Sequence, residues 1–173
     1  LGDIAIVTDS GADFIDDDLD IHIVSLKYNF GEKCYLDKVS QTPAEFYKEL
    51  RTNSHHPQTS QPSPGDFRRQ YQFLSTHYRS IISIHIPQKL SGTLQSANTA
   101  MKRIPNSKIT IIDSLSISVG QGLIATYAAK LVNKGIDHNK IIDKINQVIS
   151  KTTLYASVDD LSYGVKGGRI PKS

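Results

Sequence analysis

Four short apolar runs, at residues 4–8, 21–26, 81–86 and 108–112, alternate along the chain with segments of helical period, and nothing else in the sequence constrains the fold as much. Each run is rich in Ile or Val and too short for a helix, so each reads as a buried strand. Phe67, Tyr71, Leu74 and Tyr78 recur at helical spacing, as do Ile141, Ile142, Ile145, Val148 and Ile149. The expected fold class is therefore α/β: a mainly parallel, Rossmann-like sheet with helices on both faces. Ligands of such sheets sit beyond the carboxyl ends of the strands. Here those ends carry Asp9-Ser10, Ser91 and Asp113-Ser114, which are expected to converge.

Two hydroxyl-rich turns run straight into helical segments, residues 58–67 and 90–97. A helix start offers backbone N–H groups with no intrahelical partner, and beside hydroxyls these make an anion cradle. In the first turn Ser63 reads as an N-cap, Pro64 sits where a missing N–H costs nothing, and Asp66 lies in the first turn of the helix. In the second, Ser91 reads as the cap and Gly92 allows close approach of a ligand group.

The remaining segments follow the same logic. Acidic residues 13–18 read as a short solvated helix, 28–30 and 34–36 as brief extended pieces, and Thr42-Pro43-Ala44-Glu45 as a capping box opening a helix. Residues 92–103 and 120–133 read as helices, the latter stopped by Gly135, and Asp137 caps another. Residues 154–158 read as a strand. The expected organisation is an N-terminal α/β domain over 1–152, then, from 153 to 173, the start of a second, truncated α+β domain whose remainder is absent.

Composition narrows the function. The 173 residues are 38% hydrophobic, with 20 basic and 17 acidic residues spread along the chain for a net charge of +3. No basic stripe is present, so sequence-specific nucleic-acid binding has little support. The lone Cys34 excludes an internal disulfide and fits a reducing compartment. No run is long enough for a transmembrane segment and no signal peptide is visible, which points to the cytoplasm. Gly120-Gln121-Gly122 has the spacing of part of a dinucleotide fingerprint but does not directly follow a strand. Asp9, Asp13 and Asp113 could hold a hard cation, so a metal-dependent hydrolase or phosphotransferase using Asp9 and Asp113 stands as the alternative function, although acids at strand ends more often cap turns. His85 reads as a satisfied structural histidine, and His55 and His56 as solvated.

Taken together, Ile6-Val7-Thr8-Asp9-Ser10-x-Ala12-Asp13, Thr59-Ser60-Gln61-Pro62-Ser63-Pro64-Gly65, Leu90-Ser91-Gly92-Thr93-x-Gln95-Ser96-Ala97, Ile112-Asp113-Ser114, Gly120-Gln121-Gly122 and Lys166-Gly167-Gly168-Arg169-Ile170 closely resemble the DegV family of bacterial fatty-acid-binding proteins. The resemblance implies a non-catalytic carrier that holds one long-chain, palmitate-like fatty acid between two domains and needs no cofactor. It implies that Thr59 and Ser91, with Gly92 beside them, bind the carboxylate, and that Arg169 matches a position associated with the catalytic subunit of a fatty acid kinase. Pro87-Gln88 stand where the family usually has a Ser-Ser pair, and Leu94 where a Tyr is common.

Overall fold

Strand β1 (Gly2–Asp9) lies in the middle of a four-stranded parallel sheet. In the computed structural model, which describes residues 2–14 and 18–171, its neighbours are β2 (Ile21–Val24) and β6 (Tyr78–His85), and β7 (Lys108–Asp113) closes the far edge beside β6. The expected helix over 13–18 falls partly on residues 15–17, outside the described residues.

Alternation along β1 and β6 divides the core in two. Ile4, Ile6, Ile82 and Ile84 face α4 (Ser118–Asn133) and α5 (His138–Ile149), where Ile124, Ala125, Ala128, Ile141 and Ile145 are fully buried. Ala5, Val7 and Ile81 face α2 (Pro64–His77) and α3 (Thr93–Met101) through Phe67, Tyr71, Leu74, Ala97 and Ala100. Each fully buried Ile, Leu or Phe contributes about 1.5–3 kcal/mol of transfer free energy, so the two faces together dominate the stability.

The helix boundaries follow local chemistry. Ser63 accepts from the Asp66 N–H at 3.1 Å while Asp66 Oδ2 accepts from the Ser63 N–H at 2.9 Å, closing a capping box at the start of α2. Thr42 and Glu45 do the same for α1 (Pro43–Thr52). Asp137 accepts from Asn139 and Lys140 N–H, and Gly135 at φ +70° ends the preceding helix.

Several segments differ from the expectation. Residues 58–60 form strand β5 (Gln58–Ser60), which pairs antiparallel with β3 (Lys27–Phe30); β3 also pairs with β4 (Lys33–Leu36), so the extended pieces make a second, three-stranded sheet. A three-residue polar run carries no alternation of its own, and its strand character comes from the open edge of β3. Ser91 is not the cap of α3: Gly92 is, because the Ser91 hydroxyl turns onto Thr93, accepting from its N–H at 3.3 Å and meeting its Oγ1 at 2.8 Å. The same helix ends at Met101, two residues early. Residues 154–158 form no strand; Tyr155 is 90% exposed, and without a neighbouring strand to pair with, propensity alone does not make one. A short helix, α6 (Ser162–Lys166), follows.

Candidate functional site

The carboxyl ends of β1, β6 and β7 meet as expected, and their loops are fastened to one another. Gly11 C=O accepts from Ser118 N–H at 2.9 Å and Asp13 N–H donates to Ser118 C=O at 3.1 Å, tying the loop after β1 to the start of α4. Ser118 sits at φ +52° to make both bonds. Its hydroxyl donates to Asp13 Oδ2 at 2.8 Å, and Lys38 Nζ donates to Asp13 Oδ1 at 2.6 Å and to Ala12 C=O at 2.5 Å. Burial alone would raise the Asp13 pKa, but the Lys38 and Ser118 donors outweigh it and hold the carboxyl below its usual range.

The glycine pair of the dinucleotide-like motif lies inside this joint. A Cβ on Gly122 would overlap the Asp13 carbonyl and one on Gly120 would overlap the Ser116 hydroxyl, while buried Gln121 donates from Nε2 to Thr8 Oγ1 at 3.0 Å. The motif is a packing device between α4 and the β1 loop.

Asp9 is fully buried, and both of its oxygens are taken up by the chain itself. Oδ1 accepts from Gly11 N–H at 2.9 Å; Oδ2 accepts from Ile86 N–H and pairs with His85 Nδ1, each at 2.9 Å. Burial would raise this carboxyl too, but His85, through its hydrogen bond and charge, and the Ile86 N–H together hold it below the ordinary carboxylate value. Behind it His85 Nε2 meets Ser83 Oγ at 2.6 Å and Ser83 Oγ meets the Tyr71 hydroxyl at 2.8 Å. His85 is thus the satisfied structural histidine its alternation suggested. Asp113 accepts from Gln88 N–H at 3.1 Å and Leu115 N–H at 2.9 Å. Among the described residues, no group of three or more His, Cys, Asp or Glu could hold a metal ion, and Asp9 and Asp113 serve backbone amides.

The two hydroxyl turns are joined by a residue that sequence reasoning did not single out. The Gln61 amide packs on the Cα of Gly92 so closely that a Cβ there would lie 2.5 Å from Nε2 and 2.8 Å from Oε1. Gln61 directly follows β5, so the strand bearing Thr59 is brought to the turn bearing Ser91. Asp66 Oδ2 accepts from Lys27 Nζ at 3.2 Å, fixing the start of α2 against β3. Thr59 itself pairs opposite Tyr28 and is exposed.

Thr59 also lines an open cleft of about 1130 Å³ whose walls are β3, the 37–42 loop, α1 and the segment around α6, with Tyr28, Phe46, Tyr47, Tyr163 and Arg169 among its lining residues. Ser91 and Gly92 lie outside that cleft. His56, expected to be solvated, stacks at a tilt on Tyr163 with ring centroids 5.1 Å apart. The Arg169 guanidinium donates to Gly167 C=O. In the segments that follow β6 and β7, Leu90, Leu115, Val119 and Leu123 are 39%, 69%, 40% and 55% exposed. No helix of the described residues is long and apolar enough to cross a membrane.

With this architecture in view, the sequence profile of the DegV family, described as uncharacterised proteins, matches residues 3–173, and the chain belongs to that family. A DegV domain-containing protein of Halalkalibacterium halodurans is 37% identical over 171 residues, which are 96% of this chain and 60% of that protein. The solved structure of DegV, a fatty acid binding protein from Bacillus subtilis, superposes with a TM-score of 0.88 at 30% identity, covering 98% of this chain and 61% of that one. A structure of a DegV family protein from Thermus thermophilus, described by its fatty acid binding, gives 0.78 at 32% identity over 86% of this chain and 54% of that one. The chain spans about three-fifths of the length of the curated relatives it matches.

Proposed function

We propose that this chain holds the carboxylate of a long-chain fatty acid with the Thr59 and Ser91 hydroxyls and the Gly92 backbone, as a cytoplasmic, non-catalytic carrier. The observation that carries this reading is the packing of Gln61 on Gly92, which draws two hydroxyl-bearing segments together at the carboxyl ends of parallel strands. Fatty acid binding by the Bacillus subtilis and Thermus thermophilus relatives supports it.

The energetics divide the work. Burying about fifteen methylenes at ~0.8 kcal/mol each gives a gross term on the order of 12 kcal/mol, before the cost of immobilising the ligand. The exposed Leu90, Leu115, Val119 and Leu123 are suited to an alkyl chain. A carboxylate leaving water needs donors, and charge-assisted bonds from two hydroxyls at ~1.5–3 kcal/mol each offset that desolvation. Held in this way, the carboxylate is positioned for phosphorylation by a separate fatty acid kinase, with Arg169 as the contact to its catalytic subunit.

Mass spectrometry of an organic extract of the full-length protein tests the ligand; a fatty acid is expected, and recovery of none counts against the reading. The Thr59→Ala/Ser91→Ala double variant is expected to keep its fold by circular dichroism and to bind palmitate at least about tenfold more weakly. Unchanged affinity removes these residues from the site.

A further inference from the structure

The loop that carries Ser91 leaves β6 at Ile86 and reaches α3 at Thr93, and its first half is held by two carboxylates from different strands. Asp9, at the end of β1, accepts the Ile86 N–H at 2.9 Å; Asp113, at the end of β7, accepts the Gln88 N–H at 3.1 Å. Strand register explains the pairing, because His85 lies opposite Asp113 across β6 and β7 while the His85 ring is bonded to Asp9. Pro87 stands between the two anchored amides and, as a proline, adds a fixed φ and no N–H of its own. Its carbonyl accepts from Leu90 N–H at 2.9 Å and from Ser91 N–H at 3.1 Å. The path is therefore continuous: two carboxylates set the peptides on either side of Pro87, the Pro87 carbonyl sets Ser91, and Ser91 Oγ is turned against Thr93.

We propose that Asp9 and Asp113 are positioning residues for the ligand carboxylate, acting through the 86–91 loop to hold the Ser91 hydroxyl in register with Thr59. The proposal rests on the fatty-acid reading above. It also gives the two acids a use that does not involve a cation, since each already accepts two backbone N–H groups. Asp9 belongs to the buried Tyr71–Ser83–His85 chain and its removal endangers the core, whereas Asp113 is bonded outside the core, to the amides of Gln88 and of Leu115 in its own loop. Asp113 is accordingly the residue to test.

The experiment compares the full-length wild type with Asp113→Ala, Asp113→Asn and Ser91→Ala, measuring affinity for palmitate and for the uncharged hexadecanol, with thermal unfolding in parallel. Both probes fill the same apolar space, and only palmitate needs the oriented hydroxyl. Asp113→Ala is expected to weaken palmitate on the order of tenfold, leave hexadecanol within about twofold, and match Ser91→Ala in this ratio. Asp113→Asn keeps one acceptor oxygen and is expected to fall between wild type and Asp113→Ala. An equal loss for both probes, which a merely structural role would give, overturns the proposal, and so does an unchanged palmitate affinity. Failure of wild type to bind either probe, or of Ser91→Ala to discriminate between them, instead overturns the fatty-acid reading on which it stands.

Discussion

Gly122→Ala sets two principles against each other with opposite signs. Gly122 lies within α4, where alanine is favoured over glycine by about 1 kcal/mol, so propensity alone predicts a more stable protein. The structure predicts the reverse. A Cβ at this position would lie 2.8 Å from the Asp13 carbonyl carbon and overlap its oxygen, where ordinary carbon contacts need about 3.5–4.0 Å. The obstacle is backbone, so no side chain can turn aside, and residues 11–13 must move away from α4. That movement strains the Ser118–Gly11 and Asp13–Ser118 backbone bonds and the Lys38 bond to Ala12, each contributing about 0.5–1.5 kcal/mol. Losing two of the three, less the propensity gain and plus some overpacking at about 1–3 kcal/mol, gives a net loss of about 1–5 kcal/mol. Urea unfolding followed by circular dichroism measures it. Gly65→Ala is the control, because its Cβ would meet only Ser63 Oγ at an ordinary 3.5 Å, and it is expected to be neutral or slightly stabilising. A Gly122→Ala protein as stable as wild type would refute the claim that this glycine exists for the contact.

Two further outcomes follow from the buried polar groups. His138 is only 6% exposed and bonded to Thr110 Oγ1 and Ser80 Oγ at 2.8 Å each; burial first, then the Lys108 charge, lowers its pKa to about 4. The unfolded chain therefore takes up a proton near pH 6.5 that the fold refuses, so stability should be full above that pH and fall by up to ~3 kcal/mol as pH drops from 6.5 to 4, a slope that His138→Gln should reduce in a pH series of urea melts. Tyr71→Phe removes the hydroxyl that meets Ser83 Oγ and should cost about 1–2 kcal/mol by the same assay without altering palmitate affinity, since the Asp9–Ile86 bond remains.

How far the sequence could be read depended on the range over which each signal acts. The parallel sheet was legible because a run such as residues 81–86 and a helix such as Pro64–His77 announce themselves through neighbours one to four positions away. Capping is equally local, and Thr42, Ser63 and Asp137 act as their surroundings suggested. Strand β5 was not legible, because Gln58–Ser60 has no period of its own and becomes a strand only when the edge of β3 lies beside it. Nor was the missing strand at 154–158, whose β-branched and aromatic residues state a propensity that only a partner can realise. The candidate site divides along the same line. Thr59, Ser91 and Gly92 stand out from their own turns, but the contact of Gln61 with Gly92 and the bonds of Asp9 to Ile86 and Asp113 to Gln88 join residues far apart in the chain. An aspartate closing a strand looks the same in sequence whether it will hold a cation or a loop amide. What separates the two cases is whether a neighbouring loop presents unpaired N–H groups at the right level, and here the parallel register of β1, β6 and β7 brings the amides of Ile86 and Gln88 to both acids. The acids at the strand ends are thus accounted for by backbone amides, two of them from the loop that bears Ser91 and two from the turns that follow the acids themselves.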